Sequence, residues 1–386
     1  MKKKICVTIP SLHGAGCERM LSEVLPFYAD AFDVDLVLVE NKISYEVPDA
    51  VNIIALDLPI AGGGLLKNAE NAIKVILRLR RMTNKCRYAA VVSYLDFYNV
   101  MVCVANSSRR NKPKHIAVEQ TTDYEFFANS QMAGWKQVII KRAVGWAYNR
   151  VDRVIAVSEN LKNFLVGELG VKRKITVIHN GVDTGKFDLK RPQDTSHIDE
   201  RFMAASSRLL CLSRLDHQKN IFFLIDSFAV AADKIPDKRL FILGTGPLQQ
   251  AIEARIKLLN LDDRVFLLGF SKKPEDYLKL CDLFVLASRY ESFGNVVIEA
   301  LACGAPVVAT NYGTVVNEIM QCDSLGMIVE QGDVNGFAAA MIEVTNNRDR
   351  YDRNALNKYA RTHFNAADKA REYVATVSEA LADQLP

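Results

Sequence analysis

Ser288 to Thr310 reads SRYESFGNVVIEALACGAPVVAT, and the fold follows from it. DLFVLAS (Asp282 to Ser288) is an apolar run of strand length, and Ala305 to Ala309 is a second. Between them Ser292-Phe293-Gly294-Asn295 forms a turn that opens a helix at about Asn295. Strand, loop, helix and strand make one βαβ unit, whose ligand end is the loop carrying Glu291. The Gly294 and Asn295 amides, with the positive end of the helix dipole behind them, suit a phosphate. Glu299 follows Glu291 by eight residues and stands just over one turn past Asn295, so it can point back to the same cleft. A carboxylate beside a phosphate site suits sugar or ribose hydroxyls, which donate hydrogen bonds to it.

At 386 residues, 49% hydrophobic and 24% charged, the chain is long enough for two domains with packed cores. The eight Cys form no C-x-x-C pair, and Cys6, Cys103, Cys211 and Cys281 fall in or beside apolar runs. No disulfide framework is implied, which fits a reducing compartment. The apolar run within Met1 to Pro10 is too short for a signal peptide, and no stretch approaches the roughly 20 apolar residues of a membrane span. A cytoplasmic location is expected.

The net charge of +4 hides an asymmetry: residues 1–186 carry 26 Lys+Arg against 18 Asp+Glu, or +8, and the remainder 23 against 27, or −4. The first half is the one that would meet an anionic surface. A helix over Asn68 to Asn84 places Lys74, Arg78, Arg81 and Lys85 on one side and Ala72, Ile76, Leu79 and Thr83 on another. Gln131 to Asn149 adds Trp135, Trp146, Lys136, Lys141 and Arg142. These are either solvated basic faces on packed helices or a peripheral contact with an anionic membrane. No helix-turn-helix, RRM or zinc pattern accompanies the charge, so nucleic acid is not an expected partner.

Lys4 to Pro10 is a first strand, followed by Ser11-Leu12-His13-Gly14-Ala15-Gly16 and a helix beginning near Cys17 or Glu18. A strand feeding a glycine loop into a helix is a phosphate-type turn. A dinucleotide fingerprint would want a third glycine where Arg19 stands, but Glu40 ends the second strand where a ribose-binding acid would sit. An NAD-dependent oxidoreductase therefore stays open as an alternative. Val51 to Leu56, Ala89 to Ser93, His115 to Val118, Val154 to Val157 and Ile175 to Ile178 continue as strands between helices, with Ser158 as an N-cap. That alternation predicts a doubly wound parallel sheet. Glu119-Gln120-Thr121-Thr122-Asp123 follows a strand and lies at the sheet's ligand end.

From Thr184 to Ser207 the pattern is polar and broken, as in a linker. Arg208 to Ser213 starts a second sheet, with Arg214 and Lys219 on the loop beyond it. Arg by its planar fork and Lys as a point charge could clamp a diphosphate there. Leu240 to Leu243 with Gly244-Thr245-Gly246-Pro247, and Val265 to Leu268 with Gly269-Phe270, are further strand–loop units, Pro247 being predicted as the N1 residue of a helix. Asp333 to Val344 and Ala366 to Ala382 are late helices.

Glu-x7-Glu, with Phe-Gly-Asn after the first Glu and Ala-Cys-Gly-x-Pro-Val-Val-Ala after the second, resembles the signature of the family 4 retaining glycosyltransferases. Asn180-Gly181-Val182-Asp183 resembles that family's crossing between domains, and Arg214 with Lys219 its diphosphate-binding pair. The resemblance implies an α/β GT-B fold of two Rossmann-like doubly wound domains with an interdomain cleft. Residues 1–186 would form the acceptor side, 187–207 a linker, 208–365 the nucleotide-sugar domain and 366–386 a helix crossing back. It implies metal-independent, configuration-retaining transfer from a nucleotide-sugar, UDP-sugar favoured, to a glycan or lipid-linked acceptor such as lipopolysaccharide. No cofactor is expected.

In that reading Glu291 binds donor-sugar hydroxyls and Glu299 the ribose. Arg214, Lys219 and the amides of Gly294, Asn295 and Gly16 hold the diphosphate, Phe293 stands beside them, and Gly269 and Phe270 hold the base through backbone groups. Many relatives carry a His where Gln120 stands here, and a Gln amide could orient a hydroxyl or phosphate instead. A non-catalytic nucleotide-sugar-binding protein is the other alternative.

Overall fold

The computed structural model describes residues 2–14, 16–59, 65–107, 112–120, 134–183, 185–187, 189, 194–235 and 238–383. The chain divides into two units, Met1–Gly181 with Ala366–Pro386, and Val182–Asn365.

In the first unit seven parallel strands lie in the order β3-β2-β1-β4-β5-β6-β7. They are β1 (Lys4–Ile9), β2 (Asp33–Leu38), β3 (Val51–Ala55), β4 (Ala90–Tyr94), β5 (Lys114–Glu119), β6 (Arg153–Ala156) and β7 (Ile175–Val177). Most are buried along nearly their whole length, as strands covered on both faces must be, which is why they read as continuous apolar runs. The order reverses between β1 and β4, the place where such sheets bind ligands. Helices α1 (Gly16–Ala31), α2 (Leu65–Cys86), α3 (Asp96–Asn106), α4 (Gly134–Tyr148) and α5 (Glu159–Gly167) flank the sheet. Ser158 caps α5, its hydroxyl accepting from the Leu161 N–H at 3.1 Å. The C-terminal helix, Ala366–Ala382, packs on α1 and buries Tyr373, Val377 and Leu381 in this unit's core.

The second unit repeats the plan with β8 (Ser207–Leu212), β9 (Lys238–Leu243), β10 (Val265–Gly269), β11 (Leu283–Leu286), β12 (Val307–Thr310) and β13 (Gly326–Val329), ordered β10-β9-β8-β11-β12-β13. Its helices are α6 (Glu200–Ala204), α7 (Ile221–Ala232), α8 (Gln249–Leu258), α9 (Pro274–Leu280), α10 (Asn295–Ala302), α11 (Thr314–Ile319), α12 (Val334–Asn346) and α13 (Arg353–His363). Here the strand order reverses between β8 and β11.

Two expectations need correction. The described residues of the stretch read as a linker over 187–207 belong to the second unit, whose core takes three of them: Phe187, Ile198 and Phe202 are buried, and the Phe202 ring lies 4.8 Å from Phe241 and 5.0 Å from Tyr277. Too few apolar residues at too irregular a spacing hid this from pattern reading. Pro247 is not the N1 residue of α8, which starts at Gln249 after a turn. No helix of the described residues is long and apolar enough to cross a membrane.

Candidate active site

The site grows from the two loops at the second unit's reversal point, beyond β8 and β11. The first is held from beneath by glycines. A Cβ on Gly244 would lie 1.8 Å from the Ser213 carbonyl oxygen, and one on Gly246 2.4 Å from that of Leu215. With those side chains absent, the Leu215 N–H donates to the Thr245 carbonyl at 3.0 Å and the Leu248 N–H to the Leu215 carbonyl at 3.1 Å. Gly244 and Gly246 therefore serve backbone packing of the Arg214 loop, which accounts for them without a phosphate. Asn220, left-handed at φ 53°, turns the chain into α7.

The two loops are stitched together. The Gln218 amide donates to the Tyr290 carbonyl at 3.0 Å, and the Arg289 N–H to the Gln218 carbonyl at 2.8 Å. Lys219 Nζ donates to Glu291 Oε1 at 2.6 Å, and the Ser288 hydroxyl donates to the same oxygen at 2.6 Å. Thr310 and Gln331 fix the Ser288 carbonyl at 2.6 and 3.0 Å. The Lys219 and Glu291 side chains are only 14% and 11% exposed, so water screens this pair little. Arg214 is different: its side chain is 72% exposed and reaches Asp216 at 3.2 Å and Gln218 at 3.3 Å.

Beyond Glu291, Gly294 adopts φ +98°, a conformation in which only glycine is cheap, and no side chain caps α10 behind it. First-turn N–H groups of a helix have no intrahelical acceptors, which makes such an end suited to an anion. Glu299 lies on α10 and is buried. The Phe293 ring is 2% exposed and packs 6.1 Å from the Phe364 ring, so only its backbone is left to face the site.

Gly269, at φ +73°, accepts the Gly244 N–H at 2.7 Å, and Phe270 projects outward, 74% exposed. Beside it is a cavity of about 430 Å³ lined by Leu243, Leu268, Phe270, His197, Lys273 and Tyr277 among others. His197 reaches Asp276 at 3.4 Å and Lys273 reaches Asp194 at 3.2 Å. The lining is more polar than apolar, with Asp199, Ser271 and Lys272 also on it, and the exposed Phe270 ring offers a face on which a flat heteroaromatic group could stack. His197 and Asp194 were missed because they lie in the supposed linker. The signal was the Asp199 cap, which accepts the Arg201 N–H at 2.9 Å just before Phe202.

In the first unit Gly16 opens α1 directly after the β1 loop. Gln120, at the end of β5, donates its amide to the Tyr373 hydroxyl at 3.0 Å and its N–H to Glu119 Oε1 at 3.0 Å. Glu119 also accepts from the Tyr148 hydroxyl, which in turn accepts from the Asn99 amide at 2.8 Å. Thr121, Thr122 and Asp123 lie outside the described residues. Glu40, the ribose acid of the dinucleotide alternative, is neutralised by Lys42 at 2.6 Å, and His13 is a loop residue bound to Ser44 at 2.5 Å.

Residues 15–186 match the family described as Glycosyltransferase Family 4, and residues 194–363 match Glycosyl transferases group 1. The N-acetylgalactosamine-N,N'-diacetylbacillosaminyl-diphospho-undecaprenol 4-alpha-N-acetylgalactosaminyltransferase of Campylobacter jejuni is 29% identical over 377 residues, 96% of this chain and 97% of its own. Sucrose-phosphate synthase from Thermosynechococcus elongatus matches in structure with a TM-score of 0.82 at 18% identity, over 99% of this chain and 100% of that one. Anabaena HepE, solved in complex with UDP and glucose, gives 0.78 at 21% identity, over 97% and 99%. Two parallel, doubly wound sheets with these neighbours make a GT-B fold, and the chain belongs to the family 4, or group 1, glycosyltransferases.

Proposed function

We propose that this glycosyltransferase moves a sugar, with retention and without a metal, from a nucleotide-sugar to a glycan or lipid-linked acceptor in bacterial surface polysaccharide synthesis. UDP-sugars are the favoured donors, and the enzyme works in the cytoplasm against the inner face of the membrane. The observation that carries the reading is the Lys219–Glu291 pair, 2.6 Å apart at the sheet's reversal point beside the uncapped start of α10. A cation and a helix N-terminus suit the donor's diphosphate, and the carboxylate beside them suits its sugar hydroxyls.

In the reaction the anomeric C–O bond to the diphosphate breaks while the acceptor oxygen bonds to the same face of that carbon. The acceptor proton passes to the departing β-phosphate oxygen, so no protein base is required. Lys219, Arg214 and the α10 amides meet the charge that grows on the leaving group, where preorganised positive groups lower a barrier most. Glu291 orients donor hydroxyls, and Glu299 takes the ribose. Two of the similar proteins support the donor and acceptor classes. The Campylobacter relative is named for a diphospho-undecaprenol substrate, and HepE was solved with UDP and glucose.

Thermal shift with UDP, GDP, ADP and NAD, followed by turnover of the matching sugar donors, tests the reading. UDP should stabilise the chain and NAD should not. Glu299→Gln should weaken UDP by about 1–2 kcal/mol, since a charge-assisted bond becomes a neutral one. Failure of every nucleotide-sugar to turn over with a bacterial lipid extract as acceptor would sink it.

A further inference from the structure

Tyr312 stands two residues after β12, is 3% exposed, and its hydroxyl has no hydrogen-bond partner among the described residues. Buried tyrosine hydroxyls ordinarily find a partner, and an unpaired one costs free energy that a phenylalanine of the same shape would not. Packing therefore explains the ring but not its oxygen.

That oxygen lies in a particular place. It is 2.5 Å from the point where a Cβ of Gly294 would stand, so a residue without a side chain parts it from the mouth of α10. The α10 helix is eight residues long and has no side-chain cap. Burial, and then the charge of Glu291, push the phenol well above its usual range, so it stays protonated and can only donate to an anion. Lys219 Nζ, bound to Glu291 at 2.6 Å, is a second donor at the same reversal point. Donors of this kind suit a ligand with several anionic oxygens. They do not suit a cation or an apolar group.

We propose that the Tyr312 hydroxyl is a further ligand of the donor's diphosphate, donating to a phosphate oxygen at the N-terminus of α10. The proposal rests on the nucleotide-sugar reading above. Gly294 is then required twice: its left-handed turn opens the helix, and a Cβ there would lie 2.5 Å from the hydroxyl and displace it.

Tyr312→Phe separates this role from a structural one, because the two predict opposite balances. With the unpaired hydroxyl gone, the free variant should unfold at the same or a higher temperature than wild type. Its Kd for UDP, by calorimetry, should rise about 5–10-fold while weak binding of uridine stays unchanged. Tyr312→Leu is a second hydroxyl-free variant should the phenylalanine chain fail to fold. A UDP Kd within twofold of wild type in either folded variant overturns the proposal. An equal loss for uridine also overturns it, since the phosphate would then not be the partner. If wild type binds none of UDP, GDP or ADP, the donor reading itself falls and this one with it.

Discussion

Lys219 and Glu291 were each legible in the sequence from their places after a strand, but not as partners. Seventy-two positions separate them, and no local pattern encodes a contact at that distance. In the free protein Lys219 is the counter-ion to Glu291, and the proposed reaction would use it again on the diphosphate. Lys219→Ala should therefore lower kcat by about 10²–10³ and weaken UDP less, in single-turnover assays, because the leaving-group charge is larger in the transition state. Equal damage to both would mean ground-state binding only. His115 offers a second prediction. Burial, only partly opposed by Asp152, brings its pKa down to about 4, and its Nε2 lies 2.7 Å from the Ser93 hydroxyl. Between pH 6.5 and 4 the unfolded chain holds a proton there and the folded chain does not, so stability rises with pH across that window. At about 1.4 kcal/mol per unit this amounts to about 3 kcal/mol lost on acidification. His115→Gln should flatten that acid limb in denaturation experiments, and an unchanged slope would refute the assignment.

Strands were the elements most readable, since burial on both faces forces continuous apolar runs, and they ended within a residue or two of the expected positions. The Asn295 helix start and the Ser158 cap were also legible, because glycine and serine at those points have a local mechanism. What stayed hidden was tertiary. Phe187 and Phe202 belong to a core that only the folded chain assembles, and the Phe293 ring turns inward where its motif suggested a ligand. The glycines of the β9 loop were ambiguous for the same reason, as their partners are backbone atoms of another loop. Gly246→Ala should cost about 1–3 kcal/mol, because its Cβ would meet the Leu215 carbonyl at 2.4 Å and neither backbone can move freely. The Arg214 loop must shift with it, so UDP affinity should fall as well. Gly167→Ala, within the last turn of α5 and with nothing inside 4 Å, is the control and should leave both denaturation and UDP calorimetry nearly unchanged. Equal effects at the two sites would show that backbone freedom, not the close approach, is what Gly246 supplies.

At the scale of the molecule, the +8 of residues 1–186 is concentrated on helices that also expose apolar side chains. On α2, Ile73 and Leu77 are 58% and 46% exposed among Arg78, Arg81 and Lys85, while Lys74 is paired with Glu70 at 2.5 Å and contributes less. On α4, Val138, Ile139 and Trp146 are exposed, and Arg150 stacks over the Trp146 ring at 4.1 Å. Both helices pack against α3, so the two basic and apolar stripes flank one helix of the same unit. Singly exposed apolar side chains also occur on solvated faces, so the test of these stripes is binding itself. An interfacial helix needs such side chains, set beside cations that meet anionic headgroups. Each Lys or Arg near an anionic leaflet is worth about 1 kcal/mol, so Arg78, Arg80, Arg81 and Lys85 of α2 together would support reversible attachment to such a surface. Such attraction fades over a Debye length of about 8 Å at physiological ionic strength. The protein should thus co-sediment with phosphatidylglycerol-rich vesicles at low salt and be released in large part at high salt. Arg78→Glu with Arg81→Glu should abolish the salt-sensitive part of the sedimentation while leaving UDP-sugar hydrolysis intact, because neither residue belongs to the proposed donor site. Trp146→Ala should remove the salt-resistant remainder, which depends on apolar contact and is not screened. Should wild type ignore anionic vesicles even at low salt, the stripes are solvated faces and the acceptor is a soluble one.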